Sequence, residues 1–309
     1  MTVRLAYSEF GASQSGTPVV LVHAFPLSRV MFDEVATSLA DRRRVIVPDL
    51  RGFGDSPGLG SDEPSVGAMA DDVVALLDHL GIRRCVLGGL SLGGYVAMAM
   101  MRAYRERIEA VVLMDTKASA DTDEGRANRE RIAQAVLDHG TRALRPMLET
   151  LLGATTRARR PEVVARVTGW LDEVDPAAVA WAQRAMARRP DSFGTLAEAG
   201  AADGERPGVR GFVVVGEEDM VTTHDDALAM AAAFTPHAPV HVIADTGHLS
   251  AVENADAVAG ALRDVVRHLP WESSTSSPST TSSSPLPAGA GASIPGTPTP
   301  PRRLRSWLR

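Results

Sequence analysis

The sequence predicts a doubly wound α/β protein, a mostly parallel sheet with helices on both faces and a helical insertion. Three observations carry this. Short β-branched runs alternate with helical patterns along most of the chain. Those runs are continuously apolar instead of alternating, as strands covered on both faces must be. Between Asp115 and Pro207 the strand rhythm gives way to Ala- and Arg-rich helical segments.

The first element differs from the others. Val3, Leu5 and Tyr7 alternate with polar residues, which predicts an antiparallel edge strand with one wet face, expected to form a hairpin with its neighbour. The buried strands follow as PVVLVH at 18–23, RVIVP at 44–48, RRCVLGG at 83–89, IEAVVLM at 108–114, RGFVVVG at 210–216 and PVHVIA at 239–244. In the helical pattern 65–81, Ser65 is the expected N-cap, Val73, Val74, Leu76, Leu77 and Leu80 form an apolar stripe, and Gly81 can supply a left-handed C-cap. Within the insertion, Val163, Val167, Trp170, Leu171 and Val174 recur at helical spacing, and Asp175-Pro176 reads as N-cap and first helical residue of the next helix. An insertion between two sheet strands should sit over the sheet as a lid. The expected organisation is therefore a core from 1–116 and 208–270, a helical lid from 117–207, and a disordered Ser/Thr/Pro-rich tail from 271–309. The tail ends in RRLRSWLR, whose Trp307 among arginines could touch an anionic surface, although so short a helix is marginal.

Composition narrows the function classes. The 309 residues carry a net charge of -6, and no long cationic block interrupts the body, so the electrostatic footprint of a nucleic-acid binder is missing. Lys117 is the one lysine in an otherwise all-Arg basic complement. Cys85 is the single cysteine, which rules out an intrachain disulfide and a thiolate metal cluster. Arg4 and Glu9 stand where a secretory signal would need an apolar run, and no stretch reaches the roughly 18 apolar residues of a membrane helix. A cytoplasmic protein acting on a small molecule is the expectation. A phosphate-binding G-x-x-x-x-G-K-[ST] loop and a dinucleotide fingerprint are both missing, so no organic cofactor is implied. His224 with Asp225 and Asp226 lacks a structural metal-site pattern, and no metal is assigned.

The most informative segment is 83–104, where an apolar strand runs through Gly89-Leu90-Ser91-Leu92-Gly93 directly into a helical pattern. G-x-S-x-G in that context is a nucleophile elbow. Glycines two residues either side of the serine let strand and helix pass closely, while the tight turn holds Ser91 with its hydroxyl presented. The helix that follows points its positive N-terminus toward the site and favours developing negative charge.

Together with VLVHAFP, VIVPDLRGFGDS, VVGEEDMVT and TGHLSAVENADAVAGAL, in that order, the elbow makes residues 3–269 resemble the α/β-hydrolase superfamily. The resemblance is greatest to its lidded serine esterase and lactonase branch, which includes 3-oxoadipate enol-lactonase-like proteins. It implies an oxyanion hole made by the backbone N–H groups of Leu92 and of Phe25 in the His23-Ala24-Phe25-Pro26 turn. Many relatives have glycine where this chain has Ala24. His23 itself is read as pinning that loop rather than moving protons.

Asp219 follows the strand FVVVG and His248 follows HVIAD, which puts both at carboxyl ends of strands beside the elbow, where open α/β sheets bind ligands. The chain order serine, aspartate, histidine is the one expected of this fold. His248 would take the Ser91 proton, and Asp219 would fix its tautomer and stabilise the imidazolium. His79, His139, His237 and His268 sit in helical or turn patterns and compete poorly. Asp115 ends an earlier strand where some members of the superfamily keep their acid, and is the alternative. Asp49 comes too early in the chain and reads as a turn carboxylate held by local amides or by Arg51.

These residues point to hydrolysis of a small carboxylic ester, lactone or thioester through an acyl-enzyme on Ser91. The same triad could make peracids as a cofactor-free perhydrolase or haloperoxidase, and a hydrolase-like scaffold could also bind a ligand without turning it over. Met147, Trp170, Trp181 and Met186 in the insertion are candidates for lining an acyl pocket, although helical spacing favours plain packing for each.

Overall fold

The computed structural model describes residues 2–267 apart from 57, 61 and 203–207. The expected tail from 271, with Trp307, lies outside the described residues, as do His268 and Leu269.

Among the described residues seven strands form one sheet in the order β1-β3-β2-β4-β5-β6-β7. They are β1 (Tyr7–Phe10), β2 (Val19–Val22), β3 (Val45–Pro48), β4 (Cys85–Leu90), β5 (Ile108–Met114), β6 (Arg210–Gly216) and β7 (Val240–Ile243). Each of the six apolar runs supplies one of β2–β7, and all pairings among these six are parallel.

Only β1 is antiparallel, and it corrects the hairpin expectation. Its partner is β3, with Tyr7 opposite Pro48 and Phe10 opposite Val45, not its sequence neighbour β2. The reason is topological: β2 is flanked on both edges by β3 and β4, so the free edge of β3 is where the first strand can add. The strand also starts at Tyr7; Leu5 is buried ahead of it, and the Val3 amide donates to Asp72 instead of a ladder.

Successive strand residues face opposite cores, as the two-residue pleat demands. Val20, Val22, Ile46, Leu87, Val111, Leu113, Val213 and Val215 join one apolar cluster. Val19, Leu21, Val45, Val47, Val86, Ala110, Val112 and Val214 join the other. Burying a side chain of this kind contributes about 1.5–3 kcal/mol each, so the sheet is held by apolar packing on both of its faces. The edge strand β7 departs from the pattern, with Val242 about half exposed.

Among the described residues the covering helices are α1 (Asp33–Leu39), α2 (Val66–His79) and α3 (Leu92–Ala103), then six between β5 and β6, and finally three later ones. In α2 the Ser65 hydroxyl accepts from the Gly67 amide, as the sequence predicts. At its end Gly81 has φ +67°, with Ile82 N–H bonded to Leu77 O and Gly81 N–H to Asp78 O, the paired closing bonds of a glycine C-cap. The six inserted helices are α4 (Asp123–His139), α5 (Leu148–Leu151), α6 (Ala154–Arg159), α7 (Pro161–Glu173), α8 (Pro176–Ala187) and α9 (Phe193–Gly200). Asp175 caps α8 through the Ala177 amide. The last three are α10 (His224–Ala233), α11 (Ser250–Glu253) and α12 (Ala255–Arg267).

Candidate active site

Ser91 lies between the last residue of β4 and the first of α3, with φ +54° and ψ −110°. A side chain rarely adopts this backbone, and close packing enforces it here. A β-carbon on Gly89 would run into the Gly93 carbonyl, and one on Gly93 into the carbonyl of Val22. The strained turn is anchored from the neighbouring strand: Ser91 N–H donates to Met114 O at 2.9 Å, and Thr116 Oγ1 donates to Ser91 O at 2.9 Å.

The sequence-predicted base and acid converge on this serine. His248 Nε2 is 2.8 Å from Ser91 Oγ, and His248 Nδ1 is 2.9 Å from Asp219 Oδ2. Three strand ends, β4, β6 and β7, thus deliver three residues to one line of hydrogen bonds. Ser91 is only 9% exposed and His248 1%, so these bonds are largely shielded from bulk solvent. Asp219 is fixed by its own turn: the amides of Val221 and Thr222 donate to Oδ1 at 2.8 and 3.1 Å, and the Thr222 hydroxyl to Oδ2 at 2.7 Å.

Electrostatics follow from the pairing. Burial works against charge on Asp219, but His248 beside it and the Thr222 bonds hold the carboxyl below its usual range. Burial likewise works against charge on His248, yet Asp219, with Asp115 and Glu253 behind it, raises the imidazole above its ordinary value. The pair is arranged to stabilise an imidazolium.

Asp115 is fully buried in the same region with a different task. Its Oδ1 accepts from Gly216 N–H at 2.8 Å, and its Oδ2 from the amide of Ser250 at 3.2 Å and from the Ser250 hydroxyl. Burial pushes its carboxyl up to about 8, with the nearby Asp219 charge adding to the effect. It joins the end of β6 to the start of α11 and has no hydrogen bond to His248 among the described residues.

Sequence reasoning missed Glu253. Its Oε1 accepts from the amides of Gly247 and Leu249, the residues either side of His248, at 3.1 and 3.2 Å, and Oε2 accepts from Gly153 N–H at 2.9 Å. Nothing in a five-residue offset from the histidine marks this role. Thr222 was more legible, since Asp followed by a hydroxyl residue three positions on is an ordinary turn signature.

The His23 reading holds: Leu50 N–H donates to its Nε2 at 2.9 Å, its Nδ1 lies 2.9 Å from Ala24 O, and burial lowers its pKa. Asp49 is a turn carboxylate, but its cation is Arg29, not Arg51; it also accepts from the amides of Arg29 and Asp55. Arg51 instead pairs with Asp72 at 2.6 Å and lies 5.3 Å over the ring of Trp181. Neither the Phe25 nor the Leu92 amide donates to an acceptor among the described residues.

The four candidate pocket residues do not share a surface. Trp181 and Met186 are buried in the core on the α2 and α3 side of the sheet. Trp170 is half-buried against the opposite core, 5.6 Å beneath the Arg166 guanidinium, and Met147 is packed against both. Among the described residues, no group of three or more histidine, cysteine or acidic side chains could hold a metal ion, and no helix is long and apolar enough to cross a membrane.

A family model described as the alpha/beta hydrolase fold matches residues 17–255. Among solved structures the chain is similar to a thermophilic esterase from Thermogutta terrifontis, at 38% identity over 85% of this chain and 93% of that one, with a TM-score of 0.78. An enol-lactonase from Burkholderia xenovorans LB400 shares the fold at 24% identity and a TM-score of 0.73, over 85% of this chain and 96% of that one. Of curated relatives, an sn-1-specific diacylglycerol lipase from Danio rerio is 35% identical over 119 residues, 38% of this chain and 37% of the lipase. The chain thus spans well under half the length of that relative.

Proposed function

As the chain belongs to the α/β-hydrolase family and is a hydrolase of that fold, we propose that it cleaves small carboxylic esters, lactones or thioesters through an acyl-enzyme on Ser91. The observation that carries this reading is the unbroken line from Ser91 Oγ through His248 to Asp219, at 2.8 and 2.9 Å.

In this reading, neutral His248 accepts the Ser91 proton at Nε2 as Oγ attacks the acyl carbon. Asp219 accepts from Nδ1–H, fixes the tautomer and stabilises the imidazolium that forms. The carbonyl oxygen becomes an oxyanion held by the Leu92 and Phe25 amides, and losing one such donor typically costs about 3 kcal/mol. His248 then passes its proton to the departing alkoxide or thiolate. A water, deprotonated by the same imidazole, attacks the acyl-enzyme and releases the carboxylate and Ser91. Helices α4–α9, inserted between β5 and β6, act as the lid.

The test is labelling with a fluorophosphonate, followed by a panel of esters, lactones and thioesters. Wild type should be modified at Ser91, and Ser91→Ala should neither label nor turn over acyl substrates while keeping its fold. Wild-type rates in the alanine variant would end the proposal.

A further inference from the structure

A cleft of about 420 Å³ runs along the outer face of α3, between the start of α2 and the connection from α8 to α9. Its volume is that of a small-molecule site. Neither Ser91 nor His248 lines it. The floor is apolar, with Tyr95, Met98, Ala118 and Ala185, whereas the charged groups around it are Arg102, Lys117, Arg188 and Arg189 against Glu63 alone.

These cations are not equivalent. Arg188 is already paired with Glu63 at 2.9 Å, and Arg189 with Asp121 at 2.9 Å. Arg189 also stacks 4.0 Å over the Tyr95 ring, and its buried Nε has no partner among the described residues. Among the described residues Arg102 bonds only neutral oxygens, Asp191 O and Ser192 Oγ. Lys117 has no hydrogen-bond or ion-pair partner among the described residues. Two uncompensated positive charges therefore overlook an apolar floor, in a chain whose net charge is -6. Local cation excess against a contrary global charge selects for anionic ligands.

From this juxtaposition we infer that the cleft is a second binding site, separate from the reacting serine, for a small amphiphilic monocarboxylate whose apolar body lies on the Tyr95–Met98 floor and whose carboxylate meets Lys117 and Arg102. As to source, the inference rests on the proposed hydrolysis, whose acyl product is a carboxylate. Occupancy would be felt at the elbow. Tyr95 N–H donates to Ser91 O at 3.2 Å, and Thr116, next to Lys117, donates to the same carbonyl. Product bound there would slow turnover without competing for Ser91.

The experiment is calorimetric titration of the full chain with octanoate, octanol and octylammonium, repeated on Lys117→Met, on Lys117→Arg and on chain phosphonylated at Ser91. A charge-assisted contact implies octanoate binding about tenfold tighter than octanol, a similar loss in Lys117→Met, and recovery in Lys117→Arg. Phosphonylation should leave the affinity unchanged, and octanoate should lower kcat without raising KM. Equal affinity for octanoate and octanol, no octanoate binding, an unaffected Lys117→Met, or loss of binding on phosphonylation would each overturn the inference. If Ser91 resists phosphonylation, the mass spectrum reports failure of the proposed mechanism, while the Lys117 titrations still decide the cleft.

Discussion

Asp219 faces His248 at 2.9 Å, whereas Asp115, equally interior, spends its oxygens on Gly216 and Ser250. The two carboxylates consequently predict different losses. Asp219→Asn should lower kcat by up to about 10⁴-fold, because an amide presents the imidazole with the wrong tautomer. Asp115→Asn should cost far less in kcat but lower the melting temperature, since its amide group would face the Ser250 or Gly216 N–H. Steady-state kinetics and thermal melts on both variants check this, and a larger kcat loss at Asp115 would exchange the roles.

Glu253 offers a test of how the histidine is held. Glu253→Ala would strand the buried amides of Gly153, Gly247 and Leu249, and each unsatisfied group costs about 1–3 kcal/mol. The variant should melt several degrees lower. Glu253→Gln keeps an acceptor for part of the set, so its loss should be intermediate. Kinetics below the melting transition should show reduced kcat with KM little changed, because the Glu253 carboxylate bonds the amides either side of His248. Identical melts for wild type and alanine would remove Glu253 from this role.

Gly93 carries the elbow's steric requirement. Gly93→Ala would drive a methyl group into the Val22 carbonyl, where both β2 and α3 are interior. Relief requires separating strand from helix, a disruption of the kind that gives the largest single-site losses, above about 4 kcal/mol. Expression of folded protein should fail or the melting temperature fall sharply; near-normal stability would mean the elbow is looser than its geometry.

The strands and the positions of Ser91, Asp219 and His248 at neighbouring strand ends were legible because each depends on local facts: a continuous apolar run, small residues about one serine, a turn after a strand. What escaped depends on distant chain. The partner of β1 follows from which edge of β3 is free, a property of the assembled sheet. Arg29 reaches Asp49 across 20 positions, while Arg51, only two positions away in sequence, turns instead to Asp72 in α2. Glu253 satisfies Gly153 from 100 positions away. The insertion was legible as helices but not as a surface, since helical spacing gives the side chains that are inward without saying toward what. Trp170 and Trp181 accordingly landed on opposite cores.

The pH dependence separates activity from stability, which should move in opposite directions. In the proposed mechanism activity needs neutral His248, and kcat/KM reports the free enzyme. Asp219 raises the imidazole above its ordinary 6.5 despite burial, so kcat/KM should climb with pH through a midpoint above 6.5 and then level. Stability has the reverse sign for this group. A raised folded pKa means the folded chain binds the proton more tightly, so the contribution is complete below 6.5 and is lost as pH rises through the folded value. Asp115 adds in the same sense. Its carboxyl is raised from 3.8 to about 8, so across that window the folded chain keeps a proton the unfolded chain releases, and stability declines as pH rises. Asp219, held low, does the opposite, its contribution being present above 3.8 and lost as pH falls through the folded value. Melting temperature should therefore fall from mildly acidic to alkaline pH while kcat/KM rises. Asp219→Asn removes the charge that lifts His248, so whatever activity survives should show its acid limb at lower pH than wild type. A wild-type midpoint below 6.5, or a limb that stays in place in the asparagine variant, would dissociate the measured base from the His248–Asp219 pair.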